Sequence, residues 1–413
     1  MTTTAAATPV LLVTVDRLPA WLLPPWGCTW VSMPALTHLA ARGIVFDRLL
    51  APNDSPAETL AALAGGSTPQ DRGPRMLLEA GSAAGLAPAL ITDDAAVAAQ
   101  SIGQAIVQAT VIDVPIQPTT TLASDGSDTN LGRLFAAAAG CLAAGRHRFV
   151  WCHVTSLGEV WDAPGEYREA YLDPDDPPPP GGATVPDRRV DAATDPDLVV
   201  GMRHVFAGQL TLLDECLGQL LEAMPAAADD WAVLVAGVRG LGLGLHDRLG
   251  PGPMAPFSEI IQLPAVLVAP EGRMAAQRYG GLVTPADLGA TLGELIGQPP
   301  PASDDPRRGR SLVSLVNDWS WTSRDRVIST TETGVAVATP PWLLIAPPPA
   351  IDHSAPGIPP RLFAKPDDFF EQSDVADRCP PVTDELAALA ALATRDPQAA
   401  WTQPLSAAAL RGV

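Results

Sequence analysis

Short continuous apolar runs alternate along this chain with stretches in which apolar residues recur every three or four positions. The first run, Val10–Val15, ends in Asp16, the pattern of a buried parallel strand with a polar residue at its carboxyl end. Met33–Arg42 reads as a helix closed by Gly43, followed by a strand over Ile44–Phe46. Pro56 suits the first position of a helix that runs to Leu63 and stops at Gly65-Gly66, so Ser55 falls at its N-cap. Pro88–Thr92 is a strand followed by Asp93-Asp94; Leu131–Ala144 is a helix and Arg148–His153 a strand. Leu198–Met224 carries leucines at 210, 213, 217, 220 and 221, which predicts a long amphipathic helix. Trp231–Ala236 is a core strand entering the glycine-rich loop Gly237–Gly244, Ala265–Val268 a further strand, and Thr284–Ile296 a helix closed by Gly297.

Such alternation predicts an α/β body over residues 1–310, a mostly parallel sheet covered by helices on both faces. Beyond it the period changes. Val327–Thr331, Val335–Ala338 and Trp342–Ala346 read as consecutive antiparallel strands and Asp384–Ala393 as a last helix, so residues 311–413 are expected to form a small antiparallel α+β subdomain. No internal repeat is present.

Composition narrows the function classes. The 413 residues are 47% hydrophobic and 17% charged, enough for a packed core. Lys plus Arg number 26 against 46 Asp plus Glu, a formal charge of -20 that argues against nucleic-acid and anionic-membrane partners. Pro-rich runs such as Pro177–Pro180 predict ordered surface loops. The five cysteines form no CxxC pair, which fits reduced, buried thiols. Val10–Val15 is too short for a secretory apolar region and lacks a basic flank, so a cytoplasmic location is expected.

Several polar residues stand where chemistry could sit. Ser55 at a helix start could attack a phosphoryl or sulfuryl centre or could simply cap its helix. Asp54 and Asp93-Asp94 are candidate cleft carboxylates, although turns and strand ends favour Asp for local hydrogen bonding anyway. His153, at a strand end, and His246 both lack neighbours at metal-ligand spacing and are expected to be satisfied structural histidines. The glycine-rich loop lacks the Lys-Ser/Thr of a phosphate loop, and no G-x-S-x-G elbow occurs.

The order of residues resembles the sulfatases of the alkaline phosphatase superfamily. The segments are LLVTVDRLPAWLLPPWG with MPALTHLAARGIVFDRLLAPNDSPAETLAALAGG (Leu11–Gly66), Trp231–Pro264, VTPADLGATLGELIG with RGRSL, and RLFAKPDDFFEQSDVAD (Arg361–Asp377). The resemblance implies an alkaline-phosphatase-like fold and a divalent cation held by carboxylates and an amide or imidazole, which would activate a nucleophile at a helix start. It places Asp16-Arg17 where the family has paired aspartates, and Gly237-Val238-Arg239-Gly240 where it has S-D-H-G or S-D-N-G. Ser55 takes the nucleophile position of C-x-P-S-R and Thr59 that motif's arginine. The D-P-H-x-P segment reads Ser156–Val160, a family lysine falls at Pro251, and a second basic position at Thr339 and Pro340. His246 matches a family histidine. Asp16 is the one cage ligand that survives.

The expected function is therefore a degenerate sulfatase-like protein, inactive as a sulfuric ester hydrolase and without a metal. It would act on a protein partner or a small anionic ligand. The alternative is an active sulfate or phosphate ester hydrolase that uses Ser55 with Ca2+ or Mg2+ in an altered site. Asp16, Ser55 and Val238–Arg239 are expected to converge at one end of the sheet. A guanidinium, Arg239 more than Arg17, is expected to replace the cation beside Asp16; otherwise both arginines face solvent and Asp16 bonds backbone amides.

Overall fold

The computed structural model describes residues 7–64, 74–102, 109–226, 228–298, 305–313, 323–348 and 358–412. Gly65-Gly66 and His353 lie outside them. The strands are β1 (Val10–Val15), β2 (Ile44–Leu50), β3 (Pro88–Thr92), β4 (Thr110–Asp113), β5 (Phe149–Val154), β6 (Arg188–Arg189), β7 (Ala232–Gly237), β8 (Gly242–Leu243), β9 (Arg248–Gly250), β10 (Gln262–Leu263), β11 (Ala265–Val268), β12 (Gln277–Val283), β13 (Val327–Thr331), β14 (Gly334–Ala338), β15 (Trp342–Ala346) and β16 (Arg361–Ala364).

The main sheet runs β10-β2-β11-β7-β1-β5-β3-β4, with β12 beside β2. β1 sits at its centre, parallel to β5 with Val10 opposite Phe149 and parallel to β7 with Val10 opposite Ala232. Only β10 and β11 run against the rest, so the sheet is mostly parallel as the alternation predicted. Every residue of β1, β5 and β7 is buried, which is why these strands read as unbroken apolar runs. The residues of β1 point alternately to two cores. Leu11, Val13 and Val15 meet Leu134, Phe206, Leu213 and Leu217 from helices Asn130–Ala143 and Pro196–Glu222. Val10 and Leu12 meet Leu60, Leu63, Leu288 and Leu292 from helices Pro56–Leu63 and Pro285–Leu295.

A four-stranded antiparallel sheet, β13-β14-β15-β16, follows. Val335, Val337 and Leu344 pack on Leu386 and Leu389 of helix Pro380–Arg395, while Ala336, Leu343 and Ile345 pack on Phe257, Ile260 and Ile261 of the body. Where the chain passes into this sheet, the guanidinium of Arg324 meets both carboxylate oxygens of Asp287, and Arg310 N–H donates to the same group at 2.8 Å. A third, three-stranded sheet is β6-β9-β8.

Several expectations need correction. The strand at Ile44–Phe46 extends to Leu50, because β12 pairs along it and Asp47 and Arg48 find polar partners in Arg278 and the Thr339 and Pro340 carbonyls. Gly43 does not close its helix in a left-handed conformation: its backbone is extended, and a Cβ there would lie 2.3 Å from the Leu267 carbonyl oxygen of β11. Gly297, with φ 88°, does close its helix as expected. The last helix is longer than Asp384–Ala393, running from Pro380 to Arg395, and helices Pro397–Thr402 and Ala407–Arg411 follow it. Strands β4, β12 and β16 carry too few alternating apolar residues to stand out in the sequence. Among the described residues, no helix is long and apolar enough to cross a membrane.

Candidate functional site

The site forms where the chain leaves β1 and β7. Parallel neighbours end together, so their carboxyl-terminal loops share one edge of the sheet. The two loops are stitched by backbone hydrogen bonds, Val238 N–H to the Val15 carbonyl at 2.9 Å and Leu18 N–H to the Arg239 carbonyl at 2.9 Å. Arg17, between them, adopts a left-handed conformation with φ 61°, an uncommon one for a residue with a side chain. Gly240 is required by close approach, since a Cβ there would fall 2.0 Å from the Glu259 carbonyl oxygen.

This crossing brings Arg239 onto Asp16. Arg239 Nε donates to Asp16 Oδ1 at 3.1 Å and Nη2 to Oδ2 at 2.7 Å, a bidentate pair. The carboxylate side chain is 6% exposed and the guanidinium 20%. Nη1 of Arg239 donates to the Asp54 carbonyl at 3.2 Å, which ties the start of helix Pro56–Leu63 to the same point. Asp16, Val238–Arg239 and the Asp54 carbonyl that precedes Ser55 therefore meet at one end of the sheet.

Arg17 is buried beside them without a close carboxylate contact; its Nε is 4.0 Å from Asp16 Oδ2. Its Nη2 donates to the Pro251 carbonyl at 2.9 Å, and its Cγ lies 3.0 Å from where a Cβ on Gly158 would stand. Burial, and then repulsion from Arg239, pull its pKa down to about 10. The segments at Ser156–Val160, Arg239-Gly240 and Pro251, each aligned by the resemblance with a family motif position, thus gather around this one side chain. Thr339 and Pro340 are not part of the gathering; their carbonyls accept from Arg48 instead.

Ser55 caps its helix. Its Oγ accepts from Glu58 N–H at 3.3 Å, and its own N–H donates to Asn53 Oδ1 at 2.9 Å. Thr59, in the same helix, is 2% exposed and its hydroxyl has no hydrogen-bond partner.

His153 is fully buried. Its Nδ1 is 2.8 Å from Thr14 Oγ1, which also accepts from Trp151 Nε1 at 2.8 Å. Its Nε2 has no hydrogen-bond partner and stands 3.9 Å from Asp94 Oδ2. Burial lowers its pKa against the opposing pull of Asp93, Asp16 and Asp94, which favours the neutral imidazole. Asp93 accepts from Thr155 N–H at 2.6 Å and Ser156 N–H at 3.1 Å; burial nevertheless raises its pKa. Asp94 accepts from Ala96 N–H at 2.8 Å, the local role that strand-end aspartates favour.

His246 does not join the site. Its ring stacks on Phe257, with centroids 3.5 Å apart and planes inclined by 14°, and its Nε2 lies 3.6 Å from Glu371 Oε2. It makes no hydrogen bond or ion pair with Asp16, Ser55 or Arg239. Glu371 in turn pairs with Lys365. Next to them Glu259 is 2% exposed, and burial pushes its pKa up to about 8 although Leu243 N–H donates to it at 2.5 Å. Nothing local in the sequence marks Glu259 as buried, because its carboxylate is held by the Leu243 amide of another segment.

Sulfatase chemistry implies a divalent cation, and the donor set does not fit one. Both oxygens of Asp16 are taken by Arg239, and among the described residues no group of three or more His, Cys, Asp or Glu side chains is placed to hold a metal ion.

Comparison with known proteins establishes the fold. No family model matches the chain, and no curated protein matches it. Solved structures do, along almost the whole chain. The phosphonate monoester hydrolase of Agrobacterium radiobacter is 16% identical with a TM-score of 0.71, over 95% of this chain and 96% of that one. A 2-O GAG sulfatase is 15% identical with a TM-score of 0.68, over 97% and 95%. The phosphonate monoester hydrolase from Silicibacter pomeroyi is 16% identical with a TM-score of 0.67, over 96% and 97%. The chain has the fold shared by these sulfatases and phosphonate monoester hydrolases.

Proposed function

We propose that this sulfatase-like protein does not hydrolyse sulfuric esters by the metal-assisted route and acts by binding a protein partner or a small anionic ligand. The observation that carries this reading is the bidentate Asp16–Arg239 pair. A guanidinium neutralises a buried carboxylate as a cation would, but it offers no open coordination position and cannot activate a hydroxyl by coordinating it. Ser55 has no general base in hydrogen-bond contact, and its hydroxyl oxygen is engaged with the Glu58 amide.

The test is metal content and turnover together. The chain would be dialysed against calcium and magnesium, analysed for bound metal, and assayed with 4-nitrophenyl sulfate and a phenylphosphonate monoester. The expected result is less than one tenth of an equivalent of metal and no turnover above a heat-denatured control. Stoichiometric metal, or turnover abolished by Ser55→Ala, would restore the hydrolase reading.

A further inference from the structure

Away from the Asp16–Arg239 pair, a cavity of about 460 Å³ opens between β2, β12 and the segment after β16. Its size falls within the ordinary range for small-molecule sites, about 300–1,000 Å³. Trp26, Leu282, Pro340, Pro366 and Phe369 give it apolar walls, while Arg48, Arg278 and Lys365 supply charge.

These three cations are not equivalent. Arg278 pairs with Asp47 and also donates to the Pro25 carbonyl at 2.8 Å. Lys365 pairs with Glu371 and donates to the carbonyls of Asp368 at 2.7 Å and Phe369 at 3.0 Å. Arg48 donates to the carbonyls of Pro340 at 2.5 Å and Thr339 at 2.8 Å, and among the described residues no carboxylate forms an ion pair with it. With Asp47 and Glu371 each neutralising one neighbour, the cavity wall carries one uncompensated positive charge, in a chain whose net charge is -20. Two carbonyl dipoles satisfy donors but do not cancel a charge, so a half-buried guanidinium in apolar surroundings remains costly until an anion meets it. Burial accordingly pulls the Arg48 pKa down to about 10.

We infer that this cavity binds an organic monoanion, a sulfonate, sulfate or carboxylate group on an apolar body of aromatic size, with the acidic group on Arg48 and the body between Trp26 and Phe369. One net cation matches one negative charge, and the guanidinium keeps donors beyond the two given to carbonyls. The apolar walls exclude small hydrated anions as good ligands, since these would lose water and gain few contacts. The inference does not depend on whether Ser55 hydrolyses anything, because no residue of that site lines the cavity.

The experiment is calorimetric titration of the full chain with naphthalene-2-sulfonate and with neutral naphthalene-2-sulfonamide. The expected result is 1:1 binding of the sulfonate at least tenfold tighter than the amide. Arg48→Met should abolish that preference, with the thermal unfolding curve confirming that the variant is folded. A second variant leaves Arg48 intact: Gly280→Trp, whose new Cβ would meet nothing nearer than Asp47 Oδ2 at 4.0 Å, should fill the cavity and weaken both ligands at least tenfold. Equal binding of the two probes, no binding of the sulfonate, or unchanged affinity in Gly280→Trp would each overturn the inference.

Discussion

Arg239 and Asp16 face each other through two parallel hydrogen bonds, Nε to Oδ1 at 3.1 Å and Nη2 to Oδ2 at 2.7 Å, although 223 positions separate them in the chain. The pair neutralises a carboxylate whose side chain is 6% exposed and pins the loop after β7 to the loop after β1. Its geometry leads directly to the first two predictions.

Arg239→Ala leaves Asp16 buried without a hydrogen-bonded partner, its nearest cation being Arg17 at 4.0 Å. Breaking a buried pair in this way costs about 3 kcal/mol, toward the low end because the guanidinium keeps some contact with water. In a chain of this length that lowers the melting temperature by about 3 °C. Differential scanning calorimetry checks it, and Arg239→Lys should recover only part of the loss because an ammonium cannot form the two parallel bonds.

The double variant Arg17→Asp, Arg239→Asp puts three carboxylates at the crossing. Its melting temperature should rise with millimolar calcium chloride, while that of the wild type stays flat. A wild-type chain stabilised by calcium would contradict the account of the site given above.

Ser55→Ala removes a helix cap and should destabilise the chain by about 1 kcal/mol in urea unfolding. Ser55→Asp, which can accept from the same Glu58 amide, should restore most of that. A nucleophilic serine would differ in turnover and not in stability: hydrolysis present in the wild type would be lost in both variants.

Glu259 provides a pH signature. Its folded pKa is pushed up to about 8, first by burial, from an ordinary value of 4.5. Between those values the folded chain binds more protons than the unfolded one, so this group's contribution is fully present below pH 4.5, declines as pH rises, and is lost above about 8. Glu259→Gln should therefore flatten the fall in unfolding free energy between about pH 5 and 8, as read from urea titrations at a series of pH values.

How much of this could be read in advance differs between elements. β1, β3, β5, β7 and β11 were legible because a strand buried on both faces must be apolar throughout. β12 was not: Gln277, Arg278, Gly280 and Gly281 give it no alternation, and only pairing with β2 makes it a strand. Ser55 was legible as a cap because Pro56 follows it, and helix starts have local rules. His246 was placed by its match to a family histidine, but the match could not show that its ring would stack on Phe257 and face Glu371.

Taken alone, the sequence determined the alternating body, the antiparallel strands after it, and the cap at Ser55. Those features follow from local periodicity and residue chemistry, which act over a few positions. Only the tertiary structure decided which arginine meets Asp16, that Arg17 turns instead toward the Pro251 carbonyl, and that Arg48 stands at a cavity wall with two carbonyls as its partners. The reason is that the partner of a buried charge is set by where parallel strands end and loops cross, and no short-range pattern along the chain encodes that distance.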